Sequence, residues 1–155
     1  MATFENLQIL KSAEAAADSV WKNVSRWDEF AKDVVGKQLT RAVDSIGANI
    51  AESFGRYSFG EKLQFLYYAR GSLFEAKYWL NRVRERGLMK PDEVNASIES
   101  LTQLARQLNT FASGLKTVRS EQPAKKSVRE SPPAYGFGAE TGLLFAEEDL
   151  RFLDP

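Results

Sequence analysis

The stretch Ser45–Leu80, SIGANIAESFGRYSFGEKLQFLYYARGSLFEAKYWL, decides the fold, and the rest of the chain reads as partners for it. It divides into two helical patterns and one short turn. In the first, Leu39, Val43, Ile46, Ile50 and Phe54 share one helical stripe, while Arg41, Ser45, Asn49, Glu52 and Arg56 lie roughly opposite. Between them runs a line of small residues, Gly47, Ala51 and Gly55. Glycine inside a helix costs about 1 kcal/mol relative to alanine, so the line predicts close approach of another helix. Gly55 has a second reading, as the residue that ends the helix.

The turn is marked by Ser58-Phe59-Gly60-Glu61, the pattern of a capping box, which predicts a new helix from about Phe59. So short a link makes the two helices antiparallel neighbours. Arg82, Arg84 and Arg86 before Gly87 and Leu88 predict the far end, with cations at the negative pole of the helix. Between these signals the apolar residues do not keep to one face. Leu63, Leu66, Tyr67, Leu73, Phe74 and Leu80 make a broad stripe, and Phe65, Tyr68, Ala69, Ala76, Trp79 and Val83 fall mostly on the other side. A bundle core covers one side only, so the second is either exposed or covered by another copy of the chain, and an exposed aromatic patch generally marks an interface.

Working outward, Leu7, Leu10, Ala13, Ala17, Val20, Trp21, Val24 and Trp27 recur at three- and four-residue spacing and predict a first amphipathic helix from about Phe4. The polar stretch around Asp28, Glu29, Lys32 and Asp33 is expected to hold the connection onward, with Phe30 pinning it to the core. On the other side, Lys90-Pro91-Asp92-Glu93 opens a fourth helix with proline in its first turn. Val94, Ile98, Leu101, Ala105, Leu108, Ala112 and Leu115 form its bundle seam. Gly114 and the change to SEQPAKKSVRESPPAYGFGAE mark its expected end. The fold class is all-α: an antiparallel up-down four-helix bundle over residues 1–118, followed by a disordered or loosely docked tail over 119–155. Within the tail, LLFAEEDLRFL at 143–153 predicts a short helix that is either a docking peptide or a free end.

Composition narrows function. The chain has 155 residues, no cysteine and no histidine, which removes thiolate sites, a cysteine nucleophile and the commonest general base. No phosphate loop, activated nucleophile or di-metal carboxylate pattern appears, so the expectation is a protein with no catalytic residues, metal or cofactor. The N-terminal residues show neither a signal peptide nor a membrane span, which predicts a cytoplasmic location. The formal net charge of zero divides unevenly. Residues 1–119 hold 17 Lys and Arg against 14 Asp and Glu, and residues 120–155 hold 4 against 7.

The motifs SIGANIAESFGR and FLYYARGSLFEAKYWL closely resemble the small bacterial four-helix-bundle proteins encoded in intervening sequences of large-subunit ribosomal RNA genes, distant relatives of the accessory proteins of diversity-generating retroelements. The resemblance covers roughly residues 4–115 and implies a bundle that assembles into a ring of five. It also implies RNA or DNA, and a reverse transcriptase, as partners. With a pI near 6.4 the chain lacks the strong positive excess of the retroelement relatives.

Three groups of residues are singled out on this basis. Lys37, Arg41, Arg56, Lys62, Arg82, Arg84, Arg86 and Lys90 are the candidates for phosphate contact, set against a plain solvated face. Gly47, Ala51, Gly55, Phe65, Tyr68 and Trp79 are the candidates for the oligomer interface. Arg70, set among apolar neighbours, requires a partner, for which Glu52 is the first choice and Glu75 the second. The leading function is a nucleic-acid-associated accessory protein; the other reading is a protein-interaction scaffold that works through its tail.

Overall fold

A computed structural model describes residues 4–121 and 143–155. Four long helices, α1 (Phe4–Val24), α3 (Lys37–Gly55), α4 (Phe59–Glu85) and α5 (Pro91–Glu121), pack as neighbours in the closed order α1, α3, α4, α5 and back to α1. Short links between successive helices make this an up-down bundle. Two small elements complete it, a helical turn α2 (Glu29–Ala31) and a terminal helix α6 (Glu147–Phe152).

The helix boundaries follow from local chemistry. The Ser58 hydroxyl accepts the Glu61 N–H at 3.2 Å and the Glu61 carboxylate accepts the Ser58 N–H at 3.4 Å, so α4 starts on the expected reciprocal cap. At its other end Gly87 adopts φ +66°, a left-handed conformation that lets the Leu88 N–H reach the Val83 carbonyl at 3.1 Å.

The expected polar connection after α1 is mostly helical. Asp28 accepts the Ala31 N–H at 2.9 Å and caps α2, which runs through a π-helical turn, Lys32–Gly36, into α3. Phe30 does not pin this region to the core: it stands 77% exposed on the outer face of α2. Gly36 does the pinning, since a Cβ there would lie 2.7 Å from Val24 Cγ1. The expected stop at Gly114 is also corrected. The helix continues to Glu121, because an exposed glycine only weakens a helix whose neighbours Ala112 and Leu115 are held by the core.

The apolar faces turn somewhat from the expected ones. On α1 the buried line is Ile9, Ala13, Ala16, Val20 and Val24, with Trp21 64% exposed and Leu7 exposed beside it. On α4, Leu66, Ala69, Leu73, Ala76, Leu80 and Val83 alternate at three and four residues and are fully buried. Ala69, Ala76 and Val83, expected on the far side, therefore belong to the core, while Tyr67 and Phe74 lie at its margin. Small residues take these central positions because the helix axes approach closely there, and bulkier ones fit at the edges. The seam of α5 forms as expected, with Leu104 added to it.

Candidate functional site

The antiparallel course of α3 and α4 sorts the phosphate-contact candidates into two groups. Lys37 and Arg41 in the first turns of α3 lie in the half of the bundle away from the α3–α4 turn, and Arg82, Arg84 and Arg86 at the end of α4 and Lys90 before α5 lie further along in the same half. Arg56 and Lys62 flank the α3–α4 turn at the other end, about 28 Å away along α3. In the first group Lys37 pairs with Asp33 beside an open cleft of about 400 Å³ between the end of α1 and the π-helical turn. Arg84 donates to the neutral side chain of Asn95 at 2.8 Å. Among the described residues, Arg41, Arg84, Arg86 and Lys90 have no ion-pair partner.

The expected pair between Glu52 and Arg70 does not form. Glu52 instead pairs one helical turn along with Arg56 at 2.7 Å, and the Arg56 guanidinium sits 4.5 Å from the centre of the Phe65 ring. Glu75, the second choice, accepts a 3.4 Å hydrogen bond from the Trp79 indole. Both carboxylates are engaged by side chains four residues along their own stretch of chain.

Arg70 belongs to a groove between α4 and α5 that residues 143–155 fill. Its Nε donates to the Leu144 carbonyl at 2.7 Å, and its terminal nitrogen reaches the Asp149 carboxylate at 3.4 Å. The guanidinium also lies over Phe74, 4.8 Å from the ring centre. Phe74 packs in turn against Phe145 and Phe152, at 5.7 and 5.6 Å between ring centres. About two helical turns further along, Lys77 is 2% exposed and donates to the Asp154 carbonyl at 2.9 Å. Burial holds the Lys77 amine below the ordinary lysine range and Arg84 adds to this, while Asp154 opposes it. From α5, the Asn109 side chain donates to the Phe145 carbonyl at 2.9 Å and accepts the Phe145 N–H at 2.8 Å. Thr102 contributes a longer bond, 3.4 Å, to the Leu153 carbonyl. Leu144, Phe145 and Leu153 are buried as deeply as the bundle core.

The oligomer candidates divide as well. Gly47 faces its own chain, since a Cβ on it would meet Ala13 of α1 at 3.5 Å. Close approach, the reason for a small residue there, is thus met by α1 alone. Ala51 and Gly55 are exposed. Phe65 and Trp79 are half-buried and Tyr68 is 46% exposed, with Phe65 and Tyr68 in edge contact at 5.4 Å.

A family model described as 23S rRNA-intervening sequence protein matches residues 5–110. The chain belongs to this family. No curated protein matches it. The matched span of this intervening-sequence protein runs through α1, α3 and α4 and most of α5, and it ends just after Asn109, so the groove lies inside it and residues 143–155 lie outside. Lys77, Thr102 and Asn109 were not singled out in the sequence. Lys77 alone carried a signal, being a second cation seven residues from Arg70 on an apolar helix. Among the described residues no helix is long and apolar enough to cross a membrane, and no group of three or more Asp or Glu is placed to hold a metal ion.

Proposed function

We propose that this intervening-sequence protein is a non-enzymatic binding protein that assembles with copies of itself, as a pentamer, and associates with RNA through one end of its bundle. The observation that supports the RNA part is the placing of Arg84, Arg86 and Lys90 about the short link from α4 to α5, without ion-pair partners among the described residues, with Arg41 further along the same half of the bundle. Cations left unpaired at a folded surface keep their full attraction for phosphate, and a symmetric assembly repeats the set in every subunit. Arg56 and Lys62, at the opposite end, would contact a separate strand or none. Ala51, Gly55, Phe65, Tyr68 and Trp79 supply the surface between copies.

Retention of a structured RNA tests the nucleic-acid part. Binding should weaken with salt, and changing Arg84, Arg86 and Lys90 together to Ala should flatten that dependence by about one unit of slope for each phosphate that is no longer neutralised. No retention at low salt, or retention unchanged in the triple variant, sinks it. Light scattering tests assembly, with a mass near five chains expected and a monomer at micromolar concentration counting against it. The scaffold alternative, in which the tail reaches another protein, is less favoured because Phe145 and Leu153 are already spent on the chain's own groove.

A further inference from the structure

The contact between residues 143–155 and the bundle has an asymmetry that ordinary core packing lacks. Arg70, Lys77, Thr102 and Asn109 project from α4 and α5, and most of what they bind is main chain of the segment: the carbonyls of Leu144, Phe145, Leu153 and Asp154 and the N–H of Phe145. The segment's own side chains supply the apolar anchors Phe145 and Leu153 and one carboxylate, Asp149, which meets Arg70 and also accepts the Ala146 N–H at 2.8 Å. Side chains that read a backbone while pockets take alternate anchors are the arrangement by which proteins recognise peptides. Asn109 makes the point most clearly. Its amide satisfies both the N–H and the carbonyl of one residue, Phe145, a contact that reads main chain and is indifferent to covalent connection.

The location of the two halves agrees with this. Every groove residue named lies within the family-matched span 5–110, and the occupant lies beyond it, joined through residues 122–142. The separation of Glu121 from Leu143 allows a reach of up to about 75 Å, well beyond the length of α5, so the geometry does not tie a segment to the groove of its own chain.

We propose that the α4–α5 groove is a peptide-binding site, that residues 143–155 are its built-in ligand, and that the same segment of a second copy can take its place. The ligand class is a short acidic segment with an aromatic residue, a carboxylate four residues on and a leucine four further, as Phe145, Asp149 and Leu153 stand here. Arg70 reads the carboxylate, Asn109 the backbone at the aromatic residue, and Lys77 the carbonyl that follows the leucine.

The test uses the full chain and a fluorescein-labelled synthetic peptide of residues 143–155, followed by polarisation. A segment held in cis competes at an effective concentration of the order of millimolar, so the unmodified chain should bind the probe weakly. Changing Phe145 and Leu153 together to Ala should release the built-in segment and tighten probe binding at least tenfold. Adding Asn109→Ala to that background should lose at least tenfold again, and a scrambled peptide should not bind. Probe binding no tighter in the released chain, or indifferent to Asn109→Ala, overturns the proposal. Hydrogen exchange on the unmodified chain decides independently of whether the variants fold. The Phe145 amide should open at a lower free energy than the amide of Leu73 in the core, and exchange of both only by global unfolding would make the segment a fixed part of the fold and refute a separable ligand.

Discussion

Gly47 offers the sharpest check on how α3 is placed. Its helix crosses α1 so that an added Cβ would rest 3.5 Å from Ala13 Cβ, an ordinary contact that needs no movement. Gly47→Ala should therefore gain most of the helix-propensity difference, about 0.8–1 kcal/mol, and raise the melting temperature by about 3 °C for a chain of this size. Gly47→Leu adds three more carbons where the Cβ has already filled the gap, and overpacking of about 1–3 kcal/mol should cancel or exceed that gain. Gly36→Ala serves as the control. It has the same propensity to gain, but its Cβ would sit 2.7 Å from the Cγ1 of buried Val24, a stiff β-branched side chain, so the change should destabilise. Urea unfolding followed at 222 nm gives the energies, and light scattering of the same samples gives the mass. If Gly47→Ala destabilises by 1 kcal/mol or more, the α1–α3 crossing is closer than described. If it leaves the helices intact but lowers the mass, Gly47 faces another copy and the intrachain account is wrong.

Three further outcomes are expected. Ser58→Ala removes the hydroxyl that accepts the Glu61 N–H and should cost about 1 kcal/mol in the same unfolding assay; a loss below about 0.3 kcal/mol would mean that the cap does not hold α4 in solution. Burial raises the Tyr67 hydroxyl to about 12, although Arg70 pulls the other way, so the folded chain keeps a proton that the unfolded chain releases near 10, and stability should fall as pH rises between those values. Lys77 and Lys116, both held below the usual 10.5 by burial, act in the opposite sense, so the tyrosine is isolated by comparing Tyr67→Phe with the unmodified chain between about 10 and 12; an unchanged slope there would contradict the assignment. Tyr68→Glu places a charge on the exposed aromatic strip of α4 and should lower the mass of the assembly with the helices intact, which light scattering and circular dichroism read together; an unchanged mass removes Tyr68 from the interface.

What was legible in the sequence was local. Ser58 and Glu61, Gly87, and Pro91 with Asp92 each act within one turn of their own position, and each boundary appears where these residues put it. The faces were harder, because a reading weighted by bulk gives Trp21 and Phe74 priority over Ala16 and Ala69, whereas close helix packing rewards the small residues and moves the large ones to the rim. The partner of Arg70 was out of reach for a different reason. It lies 79 residues away, and no helical periodicity links Asp149 to α4. The need for a partner was visible from the apolar surroundings, and the two carboxylates expected to meet it, Glu52 and Glu75, are engaged with Arg56 and Trp79.

This changes what the apolar girth of α4 means. A helix with hydrophobic residues nearly all round is usually covered on more than one side, and the sequence left the second side either exposed or covered by another copy of the chain. Residues 143–155 supply part of that cover from within, over the strip of Arg70, Phe74 and Lys77. The case for an assembly must then rest on the strip that stays open, which runs past Tyr68 and Tyr78, 46% and 52% exposed, beside the half-buried Phe65 and Trp79. Phe65 and Tyr68, like Tyr78 and Trp79, already pack against each other edge to face, with ring centres 5.4 and 5.1 Å apart. The open strip is thus an expectation for association to be tested, whereas on the closed strip Lys77 is 2% exposed and Arg70 and Phe74 are half-buried beneath the segment. The docked segment and the open aromatic strip lie on different faces of α4, so a change at Tyr68 tests the strip without touching the groove.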